Sequence, residues 1–72
     1  MRVVEISKQP IELYKILKME GMAASGGEAK YFIAQGLVQV NGTVETRKRK
    51  KIVAGDVIES GSDKITISLA TD

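Results

Sequence analysis

Asn41-Gly42 divides this chain into two regimes of hydrophobic spacing. Between Pro10 and Gly36 apolar residues recur at helical intervals, whereas after Gly42 they tend to alternate with polar ones, as half-buried strands require. The dipeptide is itself the strongest short hairpin signal, because both residues tolerate the positive φ of a tight turn. A helical part and a stranded part must share one core, since 72 residues leave room for no second. The expected class is α+β: a single domain over 1–72, with two helices packed on a small, mostly antiparallel sheet of about four to five short strands.

Val3 to Ile6 is a short β-branched run and predicts a leading strand. Leu13, Ile16 and Leu17 fall at i, i+3 and i+4 and predict an amphipathic helix from about Ile11 to Glu20, opened by Pro10 and stopped by Gly21. Ser25-Gly26-Gly27-Glu28 has capping-box spacing: the Ser25 hydroxyl is expected to accept from the backbone N–H three residues on, and Glu28 to reach back to the N–H of Ser25. Ala29, Phe32 and Ile33 form the buried face of this second helix, which Gly36 ends. A strict two-residue turn at Asn41-Gly42 would set Val44 on the face opposite Val38 and Val40, so a bulge or a wider loop is expected. Ile65, Ile67 and Leu69 alternate with Thr66 and Ser68 as the clearest strand. Leu13, Ile16, Leu17, Ala29, Phe32, Ile33, Val38, Val40, Ile58, Ile65 and Ile67 are the expected core.

The absence of cysteine and histidine removes disulfides, zinc sites of the usual ligands, and Cys–His or Ser–His catalytic pairs. No metal or cofactor is expected, and Asp56, Glu59 and Asp63 read as turn or surface acids rather than catalysts. Glu5 and Lys8 interrupt the apolar region that a signal peptide would need, so the expectation is a cytoplasmic protein without membrane association.

Charge is concentrated. Arg47, Lys48, Arg49, Lys50 and Lys51 are consecutive, and the remaining six basic residues face nine acids. An acidic body with one basic block predicts a localised polyanion site. In an extended conformation Arg47, Arg49 and Lys51 would face one way and Lys48 and Lys50 the other; an irregular loop is the alternative.

Glu12, Leu13, Leu17, Gly21, Ser25, Glu28-Ala29-Lys30, Ile33, Gly36, Val38, Val40-Asn41-Gly42 and Gly55-Asp56-Val57-Ile58 together resemble the ribosomal S-four-type RNA-binding domain, the αL motif, over about two-thirds of the chain. The resemblance implies RNA binding, in a family found appended to tRNA synthetases, pseudouridine synthases and RNA methyltransferases, in a small-subunit ribosomal protein, and in short stand-alone bacterial members, which this chain looks most like. It departs where the family contacts RNA. Glu12-Leu13-Tyr14 stands in place of the usual Arg-Leu-Asp, and Ser25-Gly26 in place of Ser-Arg. Lys30 keeps a charge without the bidentate fork of arginine.

The expected partner is RNA, rRNA or tRNA, held chiefly by Arg47, Lys48, Arg49, Lys50 and Lys51, with Lys18 and Lys30 on the helix pair. Ser25, Gly26 and Gly27 offer backbone N–H groups to a phosphate at the helix start, although Glu28 favours a purely structural cap. Tyr14 and Tyr31 are expected at the core edge rather than as base-stacking groups. Two other readings stay open: an adaptor whose basic block docks on an acidic ribosomal or ribosome-assembly protein, and helix-turn-helix DNA binding, which Glu28 disfavours.

Overall fold

The computed structural model describes residues 1–70. Its order is β1 (Arg2–Ile6), β2 (Ile11–Glu12), α1 (Leu13–Met19), α2 (Gly26–Ala34), β3 (Val38–Val40), β4 (Thr43–Val44), β5 (Lys51–Ile52), β6 (Val57–Ser60) and β7 (Asp63–Leu69). Five strands form a sheet in the order β1-β7-β6-β3-β4, antiparallel except for the parallel pair of β1 and β7. The α+β class is borne out. The parallel edge closes the fold, because it brings the first strand beside the last.

The stripes predicted from spacing meet as one core. Leu13, Ile16 and Leu17 of α1 and Ala29 and Ile33 of α2 pack with Val38, Val40, Ile58, Ile65 and Ile67 of the sheet, and all are buried. Each Val, Leu or Ile side chain among them, fully buried, stabilises by about 1.5–3 kcal/mol. Phe32, expected inside, is only partly buried and packs against the core from its margin. Val4, Ile6, Ala23 and Ile52 join the core without having been expected there.

Three local expectations are corrected. Helix α1 starts at Leu13, not near Ile11, because Ile11 and Glu12 are extended and pair with Ile52 and Lys51 in a two-stranded antiparallel ladder. Pro10 therefore precedes a strand, and Glu12, with ψ 139°, turns the chain into the helix. The hairpin is a strict two-residue turn with no bulge: Val40 pairs with Thr43 and Gln39 with Val44, and Asn41 and Gly42 have φ of 54° and 83°. Val44 does lie on the face away from Val38 and Val40, and it stays half exposed there instead of forcing a bulge. The cap of α2 is also offset. Ser25 Oγ accepts from the Glu28 N–H at 3.1 Å as expected, but Glu28 Oε1 accepts from the N–H of Ala24, at 2.7 Å, instead of Ser25.

Both helices end in the same way. Gly21 N–H donates to Lys18 O and Met22 N–H to Leu17 O, and Gly36 N–H donates to Ile33 O and Leu37 N–H to Phe32 O. These paired bonds satisfy the last carbonyls and fix the angle at which the chain leaves each helix.

Candidate nucleic-acid interface

The first N–H groups of a helix have no intrahelical acceptor. In α1 the basic segment supplies the acceptors: Leu13 N–H donates to Lys50 O at 2.9 Å and Tyr14 N–H to Lys48 O at 3.2 Å. Lys50 N–H donates to Arg47 O at 3.1 Å, closing residues 47–50 into a turn. The segment is thus a turn docked by its backbone on the start of α1, and only Lys51 belongs to a strand. This is the irregular alternative rather than the alternating one.

Its two arginines are held by acids of the chain. Arg47 donates from Nε and Nη2 to the two oxygens of Glu45, at 2.9 and 3.1 Å, and the same carboxylate accepts from the Arg47 backbone N–H at 3.0 Å. These bonds pull the Glu45 carboxyl down to about 2 and raise the Arg47 guanidinium. Arg49 Nη1 reaches Glu12 Oε2 at 3.3 Å, and Lys15 Nζ reaches Glu12 Oε1 at 3.2 Å. Glu12 is lowered in turn, first by the hydrogen bond from Lys15 and then by that from Arg49. Lys48, Lys50 and Lys51 make no ion pair among the described residues.

Tyr14 joins this turn to the helices. Its ring lies 4.6 Å from Lys30 Nζ, 5.6 Å from the Arg49 guanidinium carbon and 6.0 Å from Lys15 Nζ, within the range of cation–π attraction. One ring therefore gathers cations from α1, α2 and the basic turn. Among the expected site residues, Arg47, Arg49, Lys50 and Lys51 line one shallow recess, while Lys18 and Gly26 line another beside Tyr14. Lys48 is exposed on the turn between them in sequence. Ser25 is occupied as a helix cap, and Gly27 is exposed beside its hydroxyl.

Sequence reasoning missed Tyr14 as the centre and Lys15 as a member of the cluster. Lys15 was legible as a cation pointing away from the apolar stripe, but the contact of Tyr14 with Lys30 and Arg49 joins separate elements and leaves no local signal. The pairing of Arg47 with Glu45 was open to sequence, since residues two apart in an extended run share a face.

With this geometry in place, a family model described as the S4 domain matches residues 4–68. The chain belongs to the S4 domain family. It is 44% identical to YbcJ of Escherichia coli (strain K12) over 68 residues, 93% of this chain and 97% of that protein. The solution structure of E. coli YbcJ, described as revealing an αL motif involved in RNA binding, matches with a TM-score of 0.71 at 43% identity, covering 92% of this chain and 85% of that chain. RlbA of Bacillus subtilis (strain 168), which carries the name of a ribosome maturation protein, is 36% identical over 56 residues, 78% of this chain and 79% of RlbA.

Within this S4 domain two of the departures from the family pattern, Tyr14 and Gly26, face one another. A Cβ added at Gly26 would lie 3.8 Å from Tyr14 Cδ2 and Cε2. Where the pattern carries an arginine on α2 and an aspartate on α1, this chain has an aromatic ring and the gap beside it.

Proposed function

We propose that this chain is a non-catalytic module that binds structured RNA, rRNA or tRNA, mainly through its phosphate backbone in the cytoplasm. The observation that carries this reading is the convergence of Lys15, Lys30 and Arg49 on Tyr14, next to a basic segment that presents Lys48, Lys50 and Lys51 without acidic partners among the described residues. Lysine ammonium groups on flexible stems suit phosphates approached as point charges rather than a fixed base edge. Arg47 has its Nε and Nη2 groups on Glu45, so phosphate contacts fall to the lysines first. Among RNA classes, rRNA is favoured by the ribosome maturation name of RlbA.

The test is a salt titration of binding to a fragment of rRNA containing a stem, with a DNA duplex of the same sequence alongside. Affinity that falls with salt along a slope of at least about 2, equivalent to roughly three phosphate contacts, supports the reading. Failure to retain any RNA at low salt, with capture of an acidic ribosome-assembly protein through residues 47–51, replaces it with the adaptor. A marked preference for duplex DNA replaces it with the helix-turn-helix reading.

A further inference from the structure

The recess beside Tyr14 has the composition of a site for a single nucleotide. It lies between the exposed side of α1 and the start of α2, has a volume of about 380 Å³, and is lined by Tyr14, Lys15, Lys18, Met19 and Gly26. An aromatic ring forms one wall, and its Cδ2–Cε2 edge stays uncovered beside Gly26, where an added Cβ would sit 3.8 Å away. Lys15 and Lys18 stand on the rim, and Lys30 lies 4.6 Å from the ring centroid.

Resting on the reading of this chain as an RNA binder, we propose that this recess takes one unpaired nucleotide of the bound RNA, with its base on the Tyr14 ring and its phosphate among Lys15, Lys18 and Lys30. Only part of the ring is spent on the core: Tyr14 packs against the core from its margin, and the cationic groups of Lys15, Lys30 and Arg49 lie 4.6–6.0 Å from its centroid, Lys15 and Arg49 also reaching Glu12. A phosphate draws those cations toward itself, because a full negative charge attracts an ammonium more strongly than the ring quadrupole does. The ring face then becomes available to a base. Stacking on an aromatic side chain tolerates any base identity, so the site selects an unstacked nucleotide at a bulge, loop or end rather than a sequence. It would thereby add local shape selection to a surface otherwise governed by charge.

The experiment compares a perfectly paired RNA stem with the same stem carrying one bulged nucleotide, at one salt concentration. The unsubstituted chain is expected to bind the bulged stem about tenfold more tightly, toward the low end of what base–aromatic stacking supplies. Tyr14→Leu should abolish that preference while retaining binding to the paired stem, and Tyr14→Phe should preserve it. Gly26→Ala serves as the variant expected to fold, because its added methyl meets the ring at an ordinary contact distance of 3.8 Å. It should reduce the preference by covering that edge of the ring. Equal binding of the two RNAs by the unsubstituted chain, or an unchanged preference in Tyr14→Leu, overturns the nucleotide site and leaves the phosphate-binding reading intact. If neither RNA is retained even at low salt, the RNA reading fails and this site fails with it.

Discussion

Asn41 Nδ2 donates to Asp56 Oδ1 at 3.0 Å, tying the tip of the hairpin to the turn that precedes β6. The same amide accepts from the Val57 N–H at 2.9 Å through Oδ1, while Asp56 Oδ2 accepts from the Val53 N–H at 3.0 Å. The family-pattern pairs Asn41-Gly42 and Gly55-Asp56 are therefore two halves of one clamp. It sets how β3 lies against β6, and so where the sheet supports the helix pair.

Breaking the clamp should destabilise the domain without touching the cations. Asn41→Ala removes two hydrogen bonds of about 0.5–1.5 kcal/mol each, so a loss of about 1–3 kcal/mol is expected. For a domain of this size that lowers Tm by several degrees, about 4–8 °C for each kcal/mol. Asp56→Ala should cost a similar amount, and the double variant less than the sum, because the two share a bond. Strictly additive losses would show that the bond contributes nothing.

Gly42→Val isolates backbone strain. Gly42 has a φ of 83° and an added Cβ there meets nothing within 4 Å, so no steric clash contributes. The expected loss is roughly 1 kcal/mol or more, from forcing a β-branched residue into the left-handed region. An unchanged thermal midpoint would contradict the turn geometry.

The legible parts of this fold were those set by local rules. Leu13, Ile16 and Leu17 announced their helix by spacing, Ser25 announced its cap, and Asn41-Gly42 its turn. Non-local pairing was silent. Nothing near Ile11 and Glu12 signals that they ladder with Ile52 and Lys51, about forty residues away, and the parallel match of β1 with β7 joins the two ends of the described chain. The bulge expectation failed for another reason: Val44 was assumed to need burial, yet a single exposed valine on an edge strand costs little. At the candidate site the cations were readable as a list, but the sequence could not show that Arg49 shares Glu12 with Lys15 across separate elements.

Glu45 gives the acid limb of stability a specific contributor. Its folded-state carboxyl is held near 2, below the ordinary value of 4.5, so its contribution is complete above about pH 4.5 and is lost as pH falls toward 2. Melting curves of the unsubstituted chain should therefore decline more steeply between pH 4.5 and 2 than those of Glu45→Gln, which has no proton to gain there. Parallel acid limbs would exclude the Arg47 pair as a source of stability. At neutral pH the same substitution releases the Arg47 guanidinium, and the expected result is tighter RNA binding with a steeper salt slope.

The decisive partition is between the lysines of the basic segment, which make no ion pair among the described residues, and its held arginines. If Lys48, Lys50 and Lys51 each meet a phosphate, replacing all three by alanine should flatten the slope of log affinity against log salt by about 2 units, at roughly 0.7–0.9 for each contact. The turn itself should persist, because Lys48 and Lys50 hold the start of α1 through their carbonyls rather than their side chains. Arg47→Ala should change the slope far less, since Glu45 already neutralises that guanidinium and is set free by the substitution. A slope lost in the arginine variant and kept in the triple lysine variant would mean that RNA displaces Glu45 and takes the fork for itself. Lys15→Ala provides the remaining comparison: a loss as large as that of the triple variant would move the weight of binding from the turn to the face of α1 around Tyr14.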